Sequence, residues 1–252
     1  MIGNIKILRA IYGAAAAKFK LPNPTSGIDL YDTTLHPTYT PEEPNSLTVE
    51  ELPRFLDAMY ERGARHFAVS FLGFVTGLRP STLFPLRINE DIRWSEQEIW
   101  IRRSHTVAQE VMPTTKTGRG YPIGLPAQVF RILRWHVDNQ IDEGPMKESG
   151  LIFPSERGTI RFVESLAKPF AKAARVAGIT KHITPRAMRR TYQDLTRAAK
   201  VDSIVKRSIS GHATEEMEGW YSTVHPDEQR EHLMKVMPLL AAAVTLPFDG
   251  QR

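Results

Sequence analysis

Cysteine is absent from the 252 residues, which excludes disulfides, thiolate nucleophiles and thiolate-ligated zinc. Long apolar runs are lacking too. No stretch reaches the roughly 18 uncharged apolar residues that a membrane-spanning helix needs, so a soluble, cytoplasmic protein with no membrane partner is expected. The opening MIGNIKILRAIYGAAAAKFK has an alanine run, but lysines and an arginine interrupt it and no cleavage site follows, so it reads as a helix of the mature protein. Internal repeats and low-complexity tracts are also missing. The hydrophobic share of 41% is that of a globular chain long enough for one large domain, or a large and a small one.

Positive charge is in excess, with a formal net charge of +5, which favours a polyanionic partner because bound lysines and arginines release condensed counterions. Its distribution is more telling than its sum. Between Arg186 and Arg207 the chain carries Arg186, Arg189, Arg190, Arg197, Lys200, Lys206 and Arg207 against Asp194 and Asp202.

Residues 4–19 read as one helix, and the proline- and threonine-rich stretch that follows reads as a linker. Thr48 and Glu51 have capping-box spacing ahead of Leu52, Phe55, Leu56, Met59 and Tyr60 at helical intervals. Pro53 makes a bend near that start an expectation. An apolar helix over 64–76 ends at Gly77, and Pro80 suits the first turn of a short helix stopped by Pro85. Arg79 thus stands directly after the most hydrophobic stretch, 67-FAVSFLGFVTGL-78. Alternation then takes over: Ile92 and Trp94, Ile99 and Ile101, Tyr121 and Ile123 predict three antiparallel strands. Lys116 lies in the loop before the last of them. Helices over 126–140, 162–177 and 185–199 follow, and an apolar segment, 231–248, comes last. The fold class expected is mainly α with a small three-stranded antiparallel sheet.

Arg186, Arg189 and Arg190 stand at i, i+3 and i+4 at a predicted helix N-terminus, where unpaired N–H groups, the helix dipole and guanidinium forks favour an anion. Downstream, His212 follows a glycine and Tyr221 comes nine residues later. In this order, 76-TGLRPSTLFPLR-87, the Lys116 of 115-TKT-117, 184-TPRAMRRT-191, and Gly211-His212 with Tyr221 resemble the boxes of the tyrosine recombinases, the phage-integrase family. LIFP at 151–154 and AGITKHITP at 177–185 resemble its connecting segments.

That resemblance implies a tyrosine-recombinase catalytic-domain fold over 47–230. It makes 1–20 a remnant or last helix of a core-binding domain, 21–46 a linker and 231–252 a C-terminal helix or tail. It implies a site-specific recombinase that cuts and rejoins double-stranded DNA through a 3′-phosphotyrosyl link, with no cofactor or metal, as a homotetramer on DNA. Catalytic roles carry over to Arg79, Lys116, Arg186, Arg189, His212 and Tyr221, and DNA contacts are expected from Arg119, Arg190, Lys206 and Arg207. The terminal apolar band at Leu233, Met234, Val236, Met237, Leu239 and Leu240 must bury against something, either its own domain or, as the resemblance implies, a neighbouring protomer. Two positions depart from the pattern: Arg186 stands where the family usually has histidine, and Thr82 where it usually has an acid. A DNA-binding relative without cleavage, or a type IB topoisomerase-like enzyme, are the alternatives.

Overall fold

The structure, a computed structural model, describes residues 2–28, 39–40, 42–105, 111–112, 120–141, 144–211 and 226–241. The chain divides into two units, 1–43 and 44–252. In the first, α1 (Ile2–Phe19) is followed by a turn in which the Asn23 carboxamide accepts from the Thr25 N–H at 2.9 Å and the Thr25 hydroxyl at 2.7 Å. Arg9 donates to the carbonyls of Thr25 and Ile28, tying that turn to the helix.

In the second unit the organising element is α2 (Glu51–Thr76). Its start is a reciprocal box: the Thr48 N–H donates to the Glu51 carboxylate at 2.8 Å and the Glu51 N–H to the Thr48 hydroxyl at 3.2 Å. The helix breaks at Gly63 (φ −157°, ψ 44°), not at Pro53. Proline is tolerated in a first turn whose N–H groups lack intrahelical partners, whereas glycine bends a helix interior. Every residue from Phe67 to Thr76 is buried. Around α2 pack α5 (Ala127–Gln140), α7 (Ala167–Val176) and α8 (Ala187–Ala198). Phe55 meets Phe170 and Phe74 edge-on at 5.1 and 5.8 Å between ring centroids.

Beyond α2 come α3 (Pro80–Leu83) and α4 (Ile88–Asp91). The expected sheet forms from β1 (Ile92–Arg93), β2 (Glu98–Ile101) and, after two further strands, β5 (Tyr121–Gly124), in the order β1-β2-β5 and antiparallel throughout. Ile92, Ile99 and Ile123 align across it, which places one apolar row on the core. An additional ladder of β3 (Ser104–His105) and β4 (Val111–Met112) was not legible because neither strand carries an apolar–polar alternation. The chain continues through α6 (Pro145–Glu148), a 3-10 turn at Val163–Leu166, α9 (Ser203–Ser210) and α10 (Pro226–Ala241). None of the helices among the described residues is long and apolar enough to cross a membrane.

The terminal helix starts at Pro226, five residues before the expected 231, and it corrects one expectation. Leu233, Val236, Met237 and Leu240 are buried in the core of their own domain, with α10 on β5, α9, α2 and α8. The apolar band is therefore already covered, and only Met234 among those six is exposed. Residues 242–252 lie outside the described residues.

One buried and one half-buried histidine make the domain acid-sensitive. His136 is 2% exposed, packs on Phe153 at 5.2 Å and hydrogen-bonds the Ile152 backbone. Burial lowers its pKa to about 4, with Arg161 and His66 adding to the effect, and His66 is likewise lowered to about 4 by burial and by Arg161. The unfolded chain therefore takes up protons below pH 6.5 while the folded one stays neutral, so stability is full above pH 6.5 and falls as pH drops towards 4. Between pH 7.5 and 5 His136 alone is expected to cost about 2 kcal/mol. Urea unfolding at both pH values measures this, and His136→Phe is expected to remove that share of the acid loss.

Candidate active site

The site begins with a turn that reverses burial within one residue. Gly77 closes α2 in the left-handed region (φ +65°), its N–H donating to the Gly73 carbonyl at 2.8 Å. No other residue type fits: a Cβ there would overlap the Tyr192 ring, lying 2.8 Å from Cγ. Leu78 is then 2% exposed and Arg79 exposed, extended at φ −73°, ψ 145° before Pro80 starts α3. The Arg79 carbonyl accepts from the Thr82 and Leu83 N–H groups at 2.8 and 3.1 Å. A buried residue behind it and a helix turn ahead of it fix the arginine's backbone.

Arg189, in the first turn of α8, reaches into this turn. Its Nη1 donates to the Gly77 carbonyl and to the Ser210 carbonyl, both at 2.8 Å. These are the C-terminal ends of α2 and α9, where the helix dipole is negative, so one nitrogen ties two helix ends together. Its Nη2 is buried and has no hydrogen bond among the described residues. Burial lowers the pKa of Arg189 to about 10, and the second cause is the charge of Arg79 close by. Among the described residues no carboxylate pairs with Arg79, Arg186 or Arg189. The buried Asp91 is engaged instead by Arg103 at 2.7 Å and the Arg87 N–H at 2.8 Å. Thr82 supplies no acid where the family pattern has one. Two like charges thus lie close together, one of them half-desolvated, with no carboxylate pairing either among the described residues, an arrangement that favours an anion.

The other basic residues divide. Arg186 heads α8 and is exposed, as is Arg190, while Lys206 and Arg207 on α9 are half-buried. Arg207 donates to the backbone and hydroxyl of Ser203, both at 3.0 Å. The three arginines at i, i+3 and i+4 thus differ in environment, with Arg189 alone drawn into the protein. Lys116, Arg119, His212 and Tyr221 lie outside the described residues.

Residues that the sequence did not single out hold this arrangement. Asn45, read as linker, is 4% exposed; its amide donates to the Thr184 hydroxyl at 2.6 Å and its carbonyl accepts from the Thr184 N–H at 3.0 Å. The Leu47 N–H donates to the Thr191 hydroxyl at 2.8 Å, and Lys181 pairs with Glu51 at 2.6 Å. The start of α8 is so fixed to the entry of α2. Tyr192 is fully buried under Gly77 and donates to the Lys206 carbonyl at 3.3 Å. Burial raises its pKa far above that of a free phenol, so it remains a neutral donor. The bonds of Asn45, Leu47 and Lys181 join positions more than 100 residues apart, beyond the reach of any local pattern.

The profile described as the Phage integrase family matches residues 45–228. No curated protein is matched by the sequence. Among solved structures, the Tn1549 transposon integrase in complex with circular intermediate DNA is similar at 18% identity and TM-score 0.62, over 93% of this chain and 78% of that one. Lambda integrase as a dimer bound to a COC′ core site is similar at 14% identity and TM-score 0.58, over 88% and 74%. The integrase from mycobacterium phage Brujita is similar at 17% identity and TM-score 0.55, over 95% and 75%. These likenesses are of fold: helices around α2 with a small antiparallel sheet.

Proposed function

We propose, from the premise that this chain belongs to the phage integrase family, that it cuts and rejoins double-stranded DNA, with Arg79 and Arg189 on the scissile phosphate. The observation that carries this is the pair of guanidiniums with no carboxylate partner among the described residues, one member held rigidly by two helix-end carbonyls. A phosphodiester attacked in line gains negative charge on its non-bridging oxygens, and fixed donors stabilise that charge without reorganising.

Tyr221 is the nucleophile: its phenolic oxygen gives up its proton to solvent and bonds to phosphorus as the P–O5′ bond breaks, leaving a 3′-phosphotyrosine and a free 5′ end. Lys116 protonates the departing 5′ oxygen, because an ammonium can release a proton and a guanidinium cannot. His212 and Arg186 complete the ring of donors around the phosphate. Arg186 holds an oxygen and is not a base, since a guanidinium stays protonated. Rejoining is the reverse step, the 5′ hydroxyl attacking the phosphotyrosine, so no cofactor enters. Arg119, Arg190, Lys206 and Arg207 contact flanking phosphates, and the working form is a homotetramer on DNA in the cytoplasm.

A pool of nicked duplexes with randomised arms tests this. A nick beside the cleavage point lets a short 5′ fragment diffuse away and traps the covalent complex, so a protein–DNA adduct that survives denaturant is expected. Binding of duplex DNA without any adduct supports the DNA-binding relative, a reading that the replacements Arg186 and Thr82 favour. Relaxation of supercoiled DNA without exchange between two duplexes supports the topoisomerase reading.

A further inference from the structure

Gly211 and Pro226, the described residues on either side of 212–225 with its His212 and Tyr221, both lie against a single strand. At one end Gly211 closes α9 at φ +62°, its N–H donating to the Arg207 carbonyl at 3.0 Å. The Tyr121 hydroxyl of β5 lies against it so closely that a Cβ on Gly211 would sit 2.5 Å from that oxygen. Arg189 bonds the adjoining Ser210 carbonyl at 2.8 Å, so the turn that leads to His212 is held by the strand and by the phosphate clamp together.

At the other end, Pro226 lies directly on Gly124 of the same strand, and a Cβ on Gly124 would overlap the Pro226 carbonyl. One turn later comes Gln229, 3% exposed. Its carboxamide oxygen accepts from the Gly124 N–H at 3.0 Å and its nitrogen donates to the Ser208 hydroxyl at 3.1 Å. One buried side chain thereby links β5, α9 and α10. Arg230 adds a bond to the Glu96 carbonyl at 2.9 Å, in the turn between β1 and β2. An apolar residue here would leave the Gly124 N–H without this acceptor, so the buried glutamine serves the junction and not the apolar core.

We propose that β5 is a two-point mount for the nucleophile-bearing segment, with Tyr121 and Gln229 as its positioning residues. This rests on the reading of Tyr221 as nucleophile. The strand also follows the Lys116 loop by five residues, so the leaving-group acid and both flanks of the nucleophile take their register from one four-residue element. In-line attack tolerates little misplacement, and a shared mount relates the two groups by covalent geometry instead of by independent loops.

Amide hydrogen exchange on the full chain tests the mount without reference to activity. Gln229→Leu is expected to raise exchange at Gly124 and Gly211 by about 10-fold or more, with the amides of α2 unchanged. Unaltered exchange at both glycines overturns the proposal. Ser208→Ala, which removes the bond from the Gln229 nitrogen together with the hydroxyl's own bond to the Val205 carbonyl within α9, serves if the leucine variant does not fold, with the same expectation at Gly211. At the other point, Gly211→Ala is expected to slow trapping of the adduct on nicked duplexes. Adding Tyr121→Phe should restore part of the rate, because the ring carbon left behind is 3.5 Å from the new methyl; no restoration overturns the role given to Tyr121.

Substrates with a bridging 5′ sulfur, which departs without protonation, separate the nucleophile from the acid. Gln229→Leu is expected to be slowed about 10- to 100-fold on oxygen and sulfur alike with DNA binding intact, and recovery on sulfur alone would contradict the mount. A wild-type chain that forms no adduct refutes the reading of Tyr221 and leaves hydrogen exchange to decide the mount.

Discussion

Arg189→Met is expected to slow covalent trapping on DNA by about 100- to 1000-fold or more, the loss typical of removing a fixed donor to a developing oxyanion. Methionine matches the stem of arginine but has no donor. The substitution therefore removes the charge beside Arg79 and leaves the Gly77 and Ser210 carbonyls without their shared partner. Its cost in stability should be smaller, about 1–3 kcal/mol for acceptors left unbonded, and part of it is offset because repulsion from Arg79 disappears. Arg189→Lys should recover little, since an ammonium cannot keep two helix-end carbonyls and a phosphate oxygen in one plane. Trapping rates measured beside urea unfolding make the comparison: a large rate loss with modest destabilisation is expected. Loss of rate only in proportion to unfolded protein would show that Arg189 is merely a strut.

Gly77→Ala is expected to destabilise the domain by about 2–5 kcal/mol. An L-residue in the left-handed region costs about 1–2 kcal/mol, and forcing a methyl into a packed ring costs about 1–3 kcal/mol more. The ring is that of Tyr192, which is fully buried and has no room to withdraw. Gly178 provides the comparison, because it too has positive φ (+68°) but open space around the missing Cβ. Gly178→Ala should therefore cost only the backbone share, about 1–2 kcal/mol. Equal urea midpoints for the two variants would mean that Tyr192 does not close on the turn as described.

Both predictions rest on a junction of which half was written plainly in the sequence. The run from Phe67 to Leu78, the glycine that ends it and the proline after Arg79 dictate a buried helix, a stop and a new start, and the structure has all three. The capping box at Thr48 and Glu51 and the alternation at Ile99, Ile101 and Ile123 were equally legible, because each is a local pattern with one geometric solution. Distances across the chain were not. That Arg189 lies beside Arg79 depends on two carbonyls from other helices, and helical periodicity alone grouped it with Arg186 and Arg190, which stay exposed.

The apolar band of α10 shows the same limit from the other side. Its spacing required a cover, yet spacing cannot say whose surface provides it, and the cover is the domain itself. Asn45 was hidden for a further reason: a polar residue after a proline looks like linker until its partner, Thr184, is known to sit against it. The bend of α2 fell at Gly63 because proline near a helix start costs nothing that the helix end had not already lost.

The most direct test is to digest the trapped protein–DNA complex with protease and identify the peptide that carries the nucleotide. The account predicts a single linked peptide spanning 210-SGHATEEMEGWYSTV-224, with a 3′-phosphonucleotide on the oxygen of Tyr221, and no adduct from Tyr221→Phe. A linkage to another residue, or to a 5′ phosphate, or an adduct that persists in Tyr221→Phe, would contradict it.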